Sequence, residues 1–262
     1  MSDPEVQTNR SALPYAENVR LVGTDQPFRW LTAGWRDFRR AGLISVVHGL
    51  IFVIAGVALT LGLASAGLTY LIAPLIAGFM LVGPGMTVSF YATSRDLEAG
   101  RQPSFAGALS AWRVNTASLL SLGLLLVIFL IVWMRFAAVI FAVCFPYTPL
   151  DVQSLLNAAL FTSDGLVFLG VGTIVGAGMA SLAFAFGAFS LPMLLDRKVG
   201  MLEAVVTSAV AVVLNAKTMA VWAGLVVLFT GAGMAAGYVG LAVTLPLIGH
   251  STWHAYRAVI RG

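Results

Sequence analysis

Apolar runs of about twenty residues recur along this chain, and no other feature constrains its fold as tightly, because a bilayer-spanning helix needs about 20 such residues. Residues 41–63, 68–92, 117–140, 166–195, 218–233 and 236–256 each read as a span, the third run staying apolar as far as Phe145. Inside lipid the backbone must satisfy its own hydrogen bonds, so each span is a helix. Of 262 residues 59% are hydrophobic and only 10% are charged, so lipid is the solvent for most of the protein. The expected fold class is all-α, a polytopic membrane protein with six transmembrane helices.

Three polar stretches, one before the first span, one between the second and third and one between the fourth and fifth, carry amphipathic sequence. In the stretch from Pro27 to Arg40, Phe28, Leu31, Trp35 and Phe38 fall on one helical face and leave Arg29, Arg36, Arg39 and Arg40 free for headgroups. The spacing Phe-x6-Trp-Arg returns at Phe105, Trp112 and Arg113, and a third stretch runs through Leu202, Val205, Val206, Ala209 and Val213. This predicts three hairpins, each preceded by an interfacial helix, in a single membrane domain over 27–262. Residues 1–26 are polar, carry Pro4 and Pro14, and read as a flexible tail with no signal-peptide pattern. Gly83-Pro84-Gly85 predicts a kink inside the second span.

All 15 basic residues except Arg135 fall before the first span, between spans two and three, between four and five, or at the C-terminal end. The loop between spans three and four holds Asp151 and Asp164. This asymmetry predicts both termini in the cytoplasm and a place in a bacterial inner membrane. The basic, aromatic collar suits anionic lipid, and the net charge of +4 is not read as a nucleic-acid surface. One cysteine, Cys144, excludes an internal disulfide.

Polar chemistry concentrates where the last span ends, in Gly249-His250-Ser251-Thr252-Trp253-His254-Ala255-Tyr256-Arg257. His250 and His254 share a helical face, and His48 enters the same leaflet from the first span, so the three are a candidate metal or haem set, with structural hydrogen bonding at the rim as the competing reading. Arg135 is expected near the far interface, snorkelling or pairing with Asp151 or Asp164, with a pathway role as the alternative. Asp96 and Asp196, beside Arg95 and Arg197, read as ion pairs at helix ends or as a pathway entrance. Trp35, Arg36, Trp112, Arg113, Asp196, Arg197, Trp253, Tyr256 and Arg257 are the candidate interaction residues. No phosphate-binding loop, metalloprotease motif, Cys/His cluster or Ser/His/Asp set is legible, so no enzyme and no cofactor is expected beyond the histidine alternative.

Ser190-Leu191-Pro192-Met193-Leu194-Leu195-Asp196-Arg197, Asn215, Trp222 and the run from Pro246 to Arg257 resemble a bacterial family of predicted integral membrane proteins of unknown function, some of whose members carry the label of cytochrome c oxidase subunits. Gly34-Trp35-Arg36-Asp37 and Leu81-Val82-Gly83-Pro84 extend the resemblance. It implies association with respiration and not oxidase catalysis, since a catalytic subunit needs far more ligand histidines than the 3 present. The expected function is therefore an accessory, scaffold or assembly component of a membrane complex, with a membrane-protein partner or a second copy of the chain. A small transporter or channel, and haem or metal handling, are the alternatives.

Overall fold

The structure, a computed structural model, describes residues 13–82, 87–146 and 152–261. Their secondary structure is helical apart from one isolated bridge. Helix α1 (Gln26–Ala41) carries Pro27 in its first turn, where a missing N–H costs nothing, and turns at Gly42 into α2 (Leu43–Ser65). Two helices follow, α3 (Ile72–Val82) and α4 (Val88–Glu98), then the short α5 (Phe105–Ser110), whose Ser104 cap accepts from the Gly107 N–H at 3.0 Å. The 29-residue α6 (Thr116–Cys144) is followed by α7 (Val152–Phe161), α8 (Ser163–Gly187) and α9 (Ser190–Asp196). The chain closes with α10 (Met201–Leu214), α11 (Ala216–Ala235) and α12 (Leu241–Val259).

Four stretches are long and apolar enough to cross a membrane: α2, α6, α8 run on into α9, and α11. The second expected span is divided between α3 and α4, and Gly83-Pro84-Gly85 lies outside the described residues. The sixth, α12, is a 19-residue helix kept off that count by its own polar residues. It is the central element, packed against α1, α2, α4, α9 and α11. Lipid gives helices no hydrophobic reason to associate, so close backbone approach has to supply the attraction. Glycine provides it here: a Cβ on Gly34 of α1 would lie 2.6 Å from the Ser251 nitrogen, and one on Gly49 of α2 would lie 2.5 Å from the Ala242 oxygen.

The expected hairpins differ from one another. Helix α6 packs on α8, and α11 on α12, but α2 packs on α12 while α3 packs on α6 and α8. Between α2 and α3 lies a cavity of about 230 Å3, walled by Phe52, Gly56, Leu59, Leu75 and Phe79 among others. The third amphipathic stretch also departs from expectation. It forms α10, but Ala204, Val205, Thr207, Ser208, Val210 and Ala211 are buried against neighbours that include α8 and α9, so it is a core helix with a narrow outer face.

The tail expected to run free to residue 26 is tied down well before that point. Val19 and Ala16 are buried, Val19 bridges Ile260, and the Arg20 N–H donates to the Val259 carbonyl at 2.7 Å. Asn215 takes the Val22 N–H at 2.9 Å and donates to the Arg20 carbonyl at 3.1 Å. Burial is densest in 88–97, 188–195, 204–211 and 245–260, the segments nearest the arginines. Packing is thus tightest at the charged end of the bundle, where hydrogen bonds and small residues both act.

Candidate functional site

On α1 the outward face is the one with Phe28 and Trp35, both exposed, while Pro27, Trp30, Gly34, Asp37 and Ala41 are buried. Trp30 meets Trp222 of α11 edge to face at 5.7 Å. Asp37, only 7% exposed, is carried by this stripe into the junction of α1, α4 and α12. Ser94 donates to Asp37 Oδ2 at 2.8 Å, and His254 Nε2 lies 2.8 Å from the same oxygen. A carboxylate only accepts, so His254 Nε2 carries a proton.

The chain continues inward. Ser94 Oγ is 2.8 Å from His250 Nδ1, and His250 Nε2 is 2.8 Å from Ser45 Oγ on α2. Ser94 has already given its one proton to Asp37, so it accepts from Nδ1, and neutral His250 then accepts at Nε2 from Ser45. Donation runs from Ser45 to His250 to Ser94 to Asp37, with His254 donating to the same oxygen from the rim. Ser45, Ser94 and His250 are each at most 1% exposed. Burial by itself raises the Asp37 carboxyl, but the hydrogen bonds from His254 and Ser94, with the coulombic attraction of His254, outweigh it and hold the group below its ordinary value.

A Ser/His/Asp set thus exists where none was legible from the sequence. Its geometry is not that of an activated nucleophile, because Ser94 stands between the carboxylate and the imidazole and no face of it reaches solvent. What the arrangement does chemically is join four helices through one file of satisfied polar groups. Ser45, Asp37 and Ser94 were missed because they are distant in sequence and of ordinary type. The one available signal was the stripe Trp30, Gly34, Asp37, Ala41 at helical spacing.

The three histidines do not converge on a common ligand point. His48 bonds the Ile44 carbonyl through Nδ1 at 2.8 Å, packs beside the rings of Phe90 and Phe105, and leaves its buried Nε2 without a partner among the described residues. Among the described residues no group of three or more His, Cys, Asp or Glu is placed to hold a metal.

A second cluster surrounds the outer turn of α12. Tyr256 donates to Asp196 Oδ2 at 2.8 Å and accepts from Arg197 Nε at 2.9 Å. Trp253 Nε1 donates to Glu98 at 2.9 Å, and Arg257 pairs with Glu98 at 3.1 Å and with Asp196 at 3.6 Å. Arg95 donates to the Leu195 carbonyl at 2.8 Å, linking the ends of α4 and α9. Asp96 behaves differently from Asp196: it pairs locally with Arg101 at 2.5 Å. Trp112 is half-buried and Arg36 and Arg113 are exposed.

Arg135 is exposed on α6 and forms no ion pair with a described residue; Asp151 lies outside the described residues. Nineteen steps from Thr116 at 1.5 Å place it about 29 Å along the helix, the thickness of a hydrocarbon core. No described charged residue, Arg135, Asp96 and Asp196 included, lines either the cavity between α2 and α3 or a second one, of about 570 Å3, walled mainly by α8, α11 and α12.

Comparison with curated proteins finds no match, and neither does comparison with solved structures. Residues 71–196, from the start of α3 to the end of α9, match a family model. The match includes Ser94, Glu98 and Asp196 and stops before the histidines of α12. Over that stretch the chain is similar to the family described as predicted integral membrane protein (DUF2189).

Proposed function

We propose that this protein crosses a bacterial inner membrane six times with both ends in the cytoplasm, and that it is a non-enzymatic accessory or scaffold subunit for another membrane protein. The carrying observation is an imbalance of burial: only 6% of the apolar window of α6, and 6% of that of α8 and α9, is buried within the chain, against 28% for α2 and α11. Two neighbouring spans thus offer a broad outer wall. Where α8 carries Gly170, Gly172 and Gly178, an added Cβ would meet no described residue within 4 Å, which leaves room for a second helix to approach closely. The bridge between Val19 and Ile260 supports an even number of crossings, since it joins the two ends of the described chain.

The test is purification from the native membrane in mild detergent, with mass spectrometry of what accompanies the protein. A defined membrane partner, or a second copy, in fixed ratio is expected, and Gly172→Leu with Gly178→Leu should release it while leaving the fold intact. A wild-type protein that comes away alone refutes the reading. So does a partner that stays through both substitutions.

A further inference from the structure

A cavity of about 570 Å3 lies between α8, α11 and α12. Packed protein interiors hold few voids larger than a water molecule, whereas sites for small molecules span about 300–1,000 Å3. On α11 its wall includes the stripe Ala216, Ala220, Ala223 and Val227 beside the larger Met219, Trp222 and Val226, and Ala180 and Phe184 of α8 line it too. Val227 is 57% exposed, so this wall faces the lipid side as well as the cavity. From Ala216 to Thr230, which also lines it, the opening runs about 21 Å at 1.5 Å per residue. One leaflet of a hydrocarbon core about 30 Å thick supplies chains about 15 Å deep, which fit lengthwise.

Lys217 stands next to Ala216 at the charged end of this groove. It is exposed and makes no ion pair with a described residue, and the first turn of α11 holds no acid. The side chain of Asn215, at the cap position of α11, is spent on the Val22 N–H and on two carbonyls, so it does not cap the helix. Positive charge at the rim above an apolar groove matches a phosphate with an acyl chain below it. A partner helix would call for no such charge.

We propose that this groove is a binding site for an anionic phospholipid of the cytoplasmic leaflet, one acyl chain lying along Ala216, Ala220, Ala223 and Val227 and the phosphate at Lys217. The assignment of leaflet rests on the orientation proposed above; the site itself does not depend on an accessory role. Trp222 lines the cavity and provides the reporter.

The full chain is reconstituted in phosphatidylcholine bilayers containing a small fraction of either phosphatidylglycerol or phosphatidylcholine with brominated chains, which quench tryptophan on contact. The Trp222 signal is the difference between wild type and Trp222→Phe. Brominated phosphatidylglycerol is expected to quench it at several-fold lower mole fraction than brominated phosphatidylcholine. Ala220→Phe should abolish the quenching by filling the groove from its open side. Lys217→Gln, which touches no packing, should reduce the headgroup preference about fivefold, the worth of one lysine near an anionic surface. Quenching without headgroup preference, or a preference that survives Lys217→Gln, overturns the proposal. Protection of Trp222 that grows with the protein-to-lipid ratio overturns it too and gives the groove to a second copy. Impermeant thiol labelling of Cys144 reports the orientation independently, so an inverted protein is told apart from a vacant groove.

Discussion

Replacing Asp37 by alanine removes the acceptor on which the file of donors converges. Two hydrogen bonds to a carboxylate are lost, each worth about 1.5–3 kcal/mol, whereas neutral interhelical bonds in membranes average about 0.6 kcal/mol. The gross loss is then about 3–6 kcal/mol. Part is recoverable, because the remaining file can reverse: Ser94 can donate to His250 Nδ1 once Asp37 is gone, and His250, shifted to its other tautomer, can donate to Ser45. Only the His254 bond and the charge assistance at Ser94 stay lost, so a net destabilisation of about 2–4 kcal/mol is expected. Asp37→Asn keeps an acceptor without its charge and should cost about half as much.

The assay is reversible unfolding in mixed detergent–denaturant micelles followed by far-ultraviolet circular dichroism, run on Asp37→Ala, Ser94→Ala and the double variant. A coupling of at least 0.5 kcal/mol is expected, as for residues sharing one network. The pH dependence has a definite sign. Since the folded carboxyl titrates below its ordinary value, the Asp37 contribution is complete above about pH 4 and is lost as pH falls through the lower folded value. Wild type and Asp37→Asn should therefore converge in acid. An Asp37→Ala protein within about 0.5 kcal/mol of wild type, or strict additivity with Ser94→Ala, refutes the reasoning.

Four other outcomes follow from the same packing. Gly34→Ala should cost about 1–3 kcal/mol in the same assay, because its Cβ meets the Ser251 backbone and α1 has to move off α12. Gly178→Ala, with no described residue within 4 Å, should leave the isolated protein's stability unchanged or slightly raised. Glu98→Gln removes an ion pair that is nearly half exposed and should cost under about 1 kcal/mol, read as a small shift in the unfolding midpoint. In intact inner-membrane vesicles of known sidedness, an impermeant maleimide should label Cys144 only from the non-cytoplasmic face, and labelling from the opposite face would reverse the proposed orientation.

Much of this molecule was determined by its sequence alone. The apolar runs dictated helices because lipid leaves the backbone no other hydrogen-bonding partner. The arginines sorted to one set of connections, and Phe28 and Trp35 marked an outward face on α1, because both depend on local composition and period. What tertiary structure decided was which polar groups meet. Asp37, Ser94, His250 and Ser45 come from four different helices, and no spacing within one helix records a contact made by another. The inward face of α1 escaped notice for the same reason. In water a buried face is apolar and shows in the periodicity, but Gly34 and Asp37 are buried for close approach and for a hydrogen bond, which leave no hydrophobic signature. The unpacked first hairpin, the core position of α10 and the clamp on residues 16–22 likewise depended on which neighbours the bundle brought alongside.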